Sequence, residues 1–491
     1  MVTAGIDIGT SGVKILAMDE TGKVLKIVTR DYPIYQTGSE SEQEPGDWWA
    51  QTADGLKELT QETKEIAAVS FSGQMHGLVV LDENDKVLRR AMLWNDQRTQ
   101  AECDYLNNDI GREKLLEHTA NIALTGFTLP KILWMKKHEE ALFAKINKIM
   151  LPKDYIAYKL TGVFATDESD ASGTLLLDVS KRAWSDFMIE AVGLKKSQLP
   201  KLYPSSGVIG TVSKAASLET GLSESTKVVI GGGDQAVGAV GTGTVDSGMC
   251  SISLGTSGVF FAAADKFAVD KGSSAIHSFC HANGRYHMMG VTLGAAASTK
   301  WWIEDILGSE DYNKEQEKIK LSELGNNSLY YLPYLSGERT PINDPYARGV
   351  FLGMATYTSR TDMTLAVLEG VAYSLRDILE VIKGMGVVPK SARIIGGGAK
   401  SPVWCQIIAD VLGLRVDKIN SDEGPAFGAA ILAQVGAGGF ASVEAACEKL
   451  ISVSQKFEPN SQATERYSKR YPIYKSLYKS LKNTFAEINN I

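Results

Sequence analysis

The sequence predicts an α/β protein built from two related lobes that face each other across a cleft. A chain of 491 residues is too long for one hydrophobic core, so two large domains are expected. The pentapeptide GTSGV occurs twice, at Gly9–Val13 and at Gly255–Val259, half a chain apart. Each copy lies between two short apolar strands, which is the pattern of a β-hairpin. The repeat favours a duplication, and we place the two lobes at residues 1–246 and 247–491.

The composition is that of an ordinary globular protein and excludes several functional classes. Apolar residues make up 44% and charged residues 22%, and the net charge is −7. No run of Lys and Arg marks a nucleic-acid or anionic membrane surface. The sequence shows neither a bilayer-spanning apolar run nor the pattern of an export signal. Five scattered cysteines suit a reducing compartment, so a cytoplasmic location is expected.

Capping patterns predict where several helices begin and end. Asp47 is expected to cap the first helix. Thr361 is expected to cap a long apolar helix that ends at Gly384 and belongs in the core of a lobe. Ser401–Pro402 combines a capping residue with proline at the first helical position. An amphipathic helix is expected over Tyr474–Ile488, and we assign it no catalytic role.

Glycine-rich turns that follow strands are the candidate phosphate sites. Glycine lets the backbone approach a ligand closely, and exposed amides in such turns form an anion-binding nest. Three turns qualify: Gly9–Gly12, Gly255–Gly258 and Gly396–Gly398. A single turn of this kind is more often only a turn, and the G-x-x-x-x-G-K-[ST] motif is absent. Three such turns in one chain, two of them duplicated, favour a phosphate ligand.

Two carboxylates stand beside these turns. Asp7 lies two residues before the first GTSGV tip, where a carboxylate meets either its own turn or a cation such as the Mg²⁺ that bridges nucleotide phosphates. Asp234 follows three glycines after the strand Lys227–Ile230. It is either the N-cap of the next helix or a base that accepts a hydroxyl proton during phosphoryl transfer. Spacing alone leaves both alternatives open.

Two further segments have the chemistry of a polyol site. Gln74–Gly77 supplies amide and imidazole groups, and Trp94–Asp96 supplies an aromatic ring. A ring can cover the apolar C–H face of a sugar while polar groups bind its hydroxyls. A lone histidine in a turn is usually structural, so His76 by itself does not identify a sugar site. The segment HSFCH at His277–His281 has metal-like spacing but lacks a second Cys/His pair, so we do not predict zinc there.

Longer motifs resemble those of the FGGY carbohydrate kinases, which belong to the sugar-kinase/actin/Hsp70 superfamily. The resemblance runs from GIDIGTSGVK to about Gly439 and includes both halves of the family signature, at Gly126–His138 and Gly349–Gly370. It implies two duplicated ribonuclease-H-like lobes, of the actin/hexokinase/Hsp70 type, that close over ATP and a sugar. Further segments are similar to those of members that phosphorylate D-xylulose: QMHG (Gln74–Gly77), LPKDY (Leu151–Tyr155), SDASGT (Ser169–Thr174) and YLSGERTP (Tyr334–Pro341).

The resemblance also implies a role for individual residues. Asp234, in GGGDQ, corresponds to the catalytic base, and Asp7 to the acidic residue near Mg²⁺. The ATP-binding positions are Thr10, Ser11 and Lys14 in the first phosphate loop, Gly255, Thr256 and Ser257 in the second, and Gly397, Gly398 and Ala399 in the adenosine loop. The sugar-binding positions are Gln74, Met75, His76, Gly77, Trp94, Asn95 and Asp234.

The activity implied is Mg-ATP-dependent phosphorylation of D-xylulose to D-xylulose 5-phosphate. A kinase for another pentulose or polyol, such as ribulose or glycerol, is the alternative, because related pockets differ by few residues. An actin- or Hsp70-like ATPase and an inactive sugar sensor are the rivals from other classes. The expected partners are the sugar and ATP, with neither nucleic acid nor membrane, and the C-terminal helix is a candidate homodimer interface.

Overall fold

The computed structural model describes residues 1–63, 65–421 and 423–489. Its first half contains the strands β1 (Val2–Ile8), β2 (Gly12–Met18), β3 (Val24–Asp31), β4 (Tyr35–Thr37), β5 (Glu40–Gln43), β6 (Ile66–Gly73), β7 (Val79–Leu81), β8 (Ala91–Met92), β9 (Lys148–Met150), β10 (Ala165–Asp167), β11 (Leu177–Asp178), β12 (Ala183–Trp184), β13 (Lys201–Tyr203), β14 (Val208–Thr211), β15 (Lys227–Val229) and β16 (Gly232–Gly233). Its helices are α1 (Pro45–Glu62), α2 (Gln100–Tyr105), α3 (Arg112–Thr119), α4 (Thr128–His138), α5 (Glu140–Phe143), α6 (Pro152–Thr161), α7 (Glu168–Ala171), α8 (Asp186–Val192), α9 (Lys214–Thr220) and α10 (Asp234–Gly241).

The second half has fewer strands and longer helices. Its strands are β17 (Met249–Leu254), β18 (Gly258–Ala264), β19 (His277–Cys280), β20 (Tyr286–Thr292), β21 (Tyr330–Leu332), β22 (Val350–Leu352), β23 (Ser391–Ile395), β24 (Arg415–Ile419) and β25 (Val453–Phe457). Its helices are α11 (Ala296–Lys300), α12 (Tyr312–Gln316), α13 (Arg360–Gly384), α14 (Pro402–Leu412), α15 (Gly424–Ala437), α16 (Val443–Leu450) and α17 (Ser461–Asn489). Short 3-10 or π turns occur at Leu106–Gly111, Ser172–Thr174, Lys196–Gln198, Trp301–Ile306, Leu321–Glu323 and Gly397–Lys400.

Each half forms a mixed sheet, and the two sheets share a pattern. The first has the order β14-β15-β6-β1-β2-β3, with β16 also pairing with β6, and the second has the order β19-β20-β18-β17-β23-β24-β25. In the first, β1 is antiparallel to β2 and parallel to β6. In the second, β17 is antiparallel to β18 and parallel to β23. Both GTSGV segments are therefore hairpin tips, as predicted, and the two-lobed α/β fold class is confirmed.

The predicted helix starts are partly right. The helix α14 has Ser401 as its N-cap, and the Ser401 side chain accepts from the Trp404 amide at 3.1 Å. Asp47 is not an N-cap, because proline at the first helical position starts α1 at Pro45. Thr361 is also not a cap. Ser359 caps α13 instead, in a reciprocal capping box with Asp362 that ties down the backbone before Thr361 is reached.

The helix α15 comes late in the chain but packs against the first sheet, on β1 and β6, and against α10. Glycines make this close crossing possible. A Cβ on Gly428 would stand 1.9 Å from the Val237 carbonyl oxygen, and one on Gly5 would stand 2.0 Å from that of Ala426. The two halves are thus joined by crossed helices, and the domain boundary at residues 246/247 stays a prediction.

The remaining helices serve the cores of their own lobes. The helices α13, α14 and α17 bury their apolar faces on the second sheet, and α1, α6 and α9 pack with the first. The final helix is longer than predicted, because it continues from Ser461 through Pro472. Within the described ranges, no helix is both long and apolar enough to cross a lipid bilayer.

Candidate active site

Two cavities lie on either side of the second GTSGV tip. The smaller, of about 170 Å³, is lined from both halves of the chain, and its walls include Asp234 and Ser257. The larger, of about 680 Å³, lies between α11, α12 and the turn Gly397–Lys400, and its walls include Thr256. Because Thr256 and Ser257 are consecutive, the tip separates two compartments and borders both.

Asp234 is the first residue of α10 and faces the smaller cavity. It is not the N-cap, which is Gly233. Burial and then the charge of Asp7 raise the pKa of the Asp234 carboxyl to about 7. A carboxyl with this pKa in a cavity can accept a proton from a hydroxyl group near neutral pH.

Asp7 stands at the end of β1, opposite Lys14 on β2 and Ser72 on β6. Burial raises the pKa of Asp7 to about 6, against the opposing effects of the Ser72 hydrogen bond and the Lys14 charge. Its Oδ1 is buried without a hydrogen-bond partner in the described structure. A buried carboxylate oxygen of this kind fits a hard cation, and Mg²⁺ needs only one or two protein carboxylates when phosphates supply further oxygens.

The first GTSGV tip stands where β1 ends, at the mouth of the smaller cavity. Trp94 lines that cavity and donates from Nε1 to Thr10 Oγ1 at 2.9 Å. Ser11 is exposed at the tip. Lys14 is ion-paired with Glu423, with 3.1 Å between Lys14 Nζ and Glu423 Oε2. This pair joins β2 to the residue that precedes α15, so Lys14 is already partly neutralised from the other half of the chain.

His76 is held in the cavity wall by backbone contacts. Its Nδ1 lies 2.8 Å from the Gly173 carbonyl oxygen, and burial lowers the pKa of the imidazole to about 3. The neutral ring therefore donates from Nδ1 and leaves Nε2 as an acceptor. The backbone of His76 has a φ of 70°, and its carbonyl oxygen accepts from Lys131 Nζ at 2.8 Å. These contacts fix an otherwise unfavourable conformation.

The structure brings together only part of the predicted sugar-binding set. Met75, His76, Trp94 and Asp234 line the smaller cavity. Gln74 instead donates to Gln43 Oε1 at 2.9 Å within the protein. The remaining two predicted residues, Gly77 and Asn95, are not among the residues that line the cavity: a Cβ on Gly77 would stand 2.6 Å from Pro152, and the Oδ1 of Asn95 is buried.

Sequence reasoning missed several residues of this cavity. Phe127 packs edge-on against His76, with ring centroids 4.7 Å apart. Gln235, His277 and Arg339 also line the cavity. Each of these four residues lies inside a motif described above: Phe127 in the first signature segment, Gln235 in GGGDQ, His277 in HSFCH and Arg339 in YLSGERTP. The motifs themselves were the signal that could have found these four residues.

The larger cavity lies at the glycine turn that the sequence predicts to bind adenosine. Gly397 and Gly398 line it, whereas Ala399 is buried beneath the turn. A Cβ on Gly398 would stand 2.5 Å from the Trp404 ring, so glycine is required there for packing. A Cβ on Gly397 would meet nothing within 4 Å. Gly397 therefore contributes open space next to the backbone, which a planar base or ribose can use.

Substitution of Gly397 by alanine is expected to weaken ADP binding about tenfold, the effect of about 1–3 kcal/mol that overpacking produces. The melting temperature without nucleotide should stay unchanged, because the added methyl group clashes with nothing in the protein. Gly384→Ala is the matched control, since a Cβ there also meets nothing and the site lies at the end of α13, away from the cavity. Calorimetry with ADP and thermal melts check both expectations; unchanged ADP affinity in Gly397→Ala would contradict a close approach of nucleotide to this turn.

Comparison with known proteins identifies the family. The model of the FGGY carbohydrate kinase N-terminal domain matches residues 2–241, and that of the C-terminal domain matches residues 250–437. This chain belongs to the FGGY family of carbohydrate kinases. The xylulose kinase of Escherichia coli strain K12 is 40% identical to this FGGY kinase over 487 residues, which cover 97% of this chain and 98% of that protein.

Solved structures agree with the family assignment of this FGGY kinase. A xyloylose kinase from Brucella ovis is 36% identical, with a TM-score of 0.93 over 99% of this chain and 100% of that one. A gluconate kinase from Lactobacillus acidophilus is 25% identical, with a TM-score of 0.92 over 99% of both chains. The fold is thus shared by kinases named for different acceptors, so the acceptor must be argued from the cavity.

Proposed function

We propose that this FGGY kinase transfers the terminal phosphoryl group of ATP to the C5 hydroxyl of D-xylulose. The observation that carries the proposal is the position of the second tip, where Thr256 borders the larger cavity and Ser257 borders the smaller one beside Asp234. ATP in the larger cavity would extend its phosphates past this tip towards the acceptor. The xylulose kinase relative at 40% identity supports D-xylulose as that acceptor.

In this mechanism Asp234 orients the acceptor hydroxyl for in-line attack and takes its proton as the bond to phosphorus forms. The adenosine lies over Gly397 and Gly398, and the phosphates lie between the tip residues Thr10, Ser11, Gly255, Thr256 and Ser257. Mg²⁺, when bound near Asp7, supplies positive charge that neutralises the phosphate oxygens. Lys14 can add to this charge if it leaves Glu423. Contact of both halves with the substrates excludes water, so that the sugar is phosphorylated rather than water.

The test of the proposed function is ADP release from Mg-ATP with a panel of acceptors. D-xylulose, D-ribulose, L-ribulose, glycerol, D-gluconate and no acceptor should be compared. ADP release with D-xylulose well above all others supports the proposal. Equal release in every tube, including the tube without acceptor, indicates an ATPase instead. Selective release with D-gluconate would assign the acceptor named for the Lactobacillus relative.

The kcat/KM for D-xylulose is expected to fall as the pH is lowered through about 7. The base must be ionised, and burial together with the Asp7 charge raises the pKa of Asp234 to about 7, so protonation removes the base below that pH. Below pH 7, kcat/KM is expected to fall tenfold for each pH unit. The pH profile of kcat/KM measures this fall, and the residual activity of Asp234→Asn should not show it. A wild-type profile that is flat between pH 5 and 8 contradicts the assignment of the base.

The cellular location and oligomeric state are further proposals. All five cysteines are buried and free of disulfides, which supports a location in the reducing cytoplasm.

A homodimer through α17 is proposed from the outer face of this helix, where Ile473 and Ile488 are half exposed, whereas Tyr467 and Tyr474 are buried against the second lobe. Light scattering at several protein concentrations tests the dimer.

A further inference from the structure

Arg339 is a charged side chain in the smaller cavity that the mechanism above does not use. It lines the same cavity as Asp234 and His76. Among the described residues, no carboxylate oxygen lies within 4.0 Å of the Arg339 guanidinium, so this side chain forms no ion pair there. Its main-chain amide, not its side chain, donates to Glu338 Oε1 at 2.6 Å. A guanidinium has five donors and no acceptor capacity, so one without a protein partner in a cavity indicates acceptors on a ligand.

The segment that carries Arg339 is fixed on both sides. Glu338 accepts from Thr292 Oγ1 at 2.6 Å and from the Leu293 amide at 3.0 Å. The Thr340 amide donates to the Val291 carbonyl oxygen at 2.9 Å, and the Val291 amide donates to Thr340 Oγ1 at 3.1 Å. The residues next to Arg339 are thus bonded to the end of β20. The guanidinium is presented from a rigid support rather than from a mobile loop, which is the arrangement that specific recognition requires.

Arg339 shares the smaller cavity with two imidazoles as well as with the base. Burial and then the Arg339 charge lower the pKa of His277 to about 3, and the Arg339 charge also contributes to the lowered pKa of His76. Thr340, the next residue in the chain, is bonded to Val291 on β20, and β20 pairs through Met289 with His277 on β19. The guanidinium is therefore carried by the wall of the cavity that also holds His277.

The chemistry of the proposed substrate identifies what must lie in the cavity away from Asp234. A 2-ketopentose closes its furanose ring through O5, the same oxygen that a C5 kinase phosphorylates. The acceptor must therefore be the open-chain keto form, with O5 at Asp234 and the C2 carbonyl towards the other end of the cavity. A carbonyl oxygen only accepts hydrogen bonds, so it requires a donor there.

We propose that Arg339 recognises the carbonyl end of the open-chain 2-ketose, donating to the C2 carbonyl oxygen and selecting ketoses over the corresponding polyols. The inference rests on the proposed function and names the residue that determines its acceptor specificity. His76 complements Arg339, because its free Nε2 accepts from a sugar hydroxyl while the guanidinium donates. Arg339 comes from the second half of the chain and His76 from the first, so both halves must be in place before the ketose is fully bound.

The test compares Arg339→Gln with the wild type on a ketose and on the polyol that lacks the carbonyl. D-xylulose is the substrate, and xylitol, in which C2 carries a hydroxyl, is used as a competitive inhibitor. Loss of a hydrogen bond to a charged donor predicts a fall in kcat/KM for D-xylulose on the order of 10- to 100-fold. The inhibition constant of xylitol should change less than about threefold, because a hydroxyl can be rebound by other groups. Arg339→Lys should give an intermediate loss, since the ammonium keeps the charge without the fork geometry.

Arg348→Gln is the matched control, because it makes the same change in the same segment outside the cavity. The Arg348 guanidinium donates to the Pro345 and Ala347 carbonyl oxygens at 3.0 and 2.8 Å. Thermal melts confirm that each variant is folded. Equal losses for D-xylulose and xylitol in Arg339→Gln, or a kcat/KM for D-xylulose within twofold of the wild type, overturn the proposal.

Wild-type activity separates this proposal from the proposed function. If wild-type enzyme does not phosphorylate D-xylulose at all, the proposed function fails. If wild-type activity is intact and Arg339→Gln is unaffected, only the role of Arg339 fails. A selective loss of activity on D-gluconate would instead make Arg339 a carboxylate receptor and overturn its assignment to the carbonyl.

Discussion

Replacement of Asp234 by asparagine is expected to lower kcat for D-xylulose by about 10²–10⁴-fold, the contribution that a general base makes to a reaction. Asparagine keeps the size of the side chain and removes the group that takes the proton. ADP affinity should remain near that of the wild type, because the larger cavity, where we propose that the nucleotide binds, lies on the other side of the second tip. Steady-state kinetics and calorimetry measure the two quantities. Near-normal turnover would remove Asp234 as the base.

The same substitution is expected to stabilise the protein above neutral pH. The pKa of Asp234 is raised from 3.8 to about 7 in the folded protein, so the folded state binds its proton more tightly than the unfolded state does. Stability from this group is present below pH 3.8 and is lost as the pH rises through about 7. Asparagine does not titrate, so it removes that loss. The melting temperature of Asp234→Asn should therefore exceed that of the wild type, and the difference should be larger at pH 8 than at pH 5. Asp186→Asn, on the exposed surface of α8, is the control and should show no such difference.

Replacement of Lys153 by methionine is expected to destabilise the protein by about 3–5 kcal/mol, because it leaves buried carboxylates without their counter-charge. Lys153 and three aspartates form a fully buried cluster below the site. The Lys153 Nζ lies 2.6 Å from Asp154 Oδ1, 2.9 Å from Asp167 Oδ1 and 3.8 Å from Asp170 Oδ2. These charges, with burial opposing them, raise the pKa of the ammonium, so Lys153 stays charged. Urea unfolding measures the loss.

The cluster also supports the base. Asp167 accepts from Ser169 Oγ at 2.5 Å, and Ser169 Oγ in turn accepts from the Gly233 amide at 3.2 Å, next to Asp234. Any folded Lys153→Met should therefore lose turnover as well as stability. The control is Lys159→Met, on the exposed side of the same helix, where a change of at most about 1 kcal/mol is expected.

A second variant tests whether the cluster carries surplus negative charge. Both carboxylate oxygens of Asp170 lack hydrogen-bond partners among the described residues, and burial raises the pKa of this group well above its ordinary value. Asp170→Asn should therefore be close to neutral for stability, or stabilising, in contrast to Lys153→Met. A strong loss of stability in Asp170→Asn would show that its charge is needed to hold Lys153.

The two hairpin tips could be predicted from the sequence because each is a local pattern, whereas the role of Asp234 as the base stays a prediction. A strand, a glycine turn and a second strand are contiguous, and the repeat of GTSGV gives the relation between the halves. The start of α13 was missed because Ser359 satisfies the capping geometry before Thr361 is reached, and the start of α1 was missed because Pro45 begins the helix ahead of Asp47. Such competition between adjacent residues is decided by backbone conformation, which sequence spacing does not specify.

The composition of the sugar cavity was harder to predict, because its walls come from distant segments. Arg339 and His277 reach the cavity only through the pairing of β19 with β20 and the anchoring of the following loop on β20. Conversely, Gln74 and Gly77 lie inside a motif that does reach the cavity, but their own contacts are with Gln43 and Pro152. A motif indicates a segment, whereas tertiary packing decides which of its side chains meet the ligand.

The packing of α15 on the first sheet means that the second half of the chain completes the first lobe. A chain cut after residue 246 would keep β1, β2 and β6 but would lose the helix that covers one of their faces. Residues such as Ala430, which lie against that sheet, belong to the other fragment. The two lobes of this kinase therefore do not correspond to two separable pieces of the chain. A fragment that ends at residue 246 would expose the face of the first sheet that α15 covers, and the other fragment would expose the face of α15 that packs there.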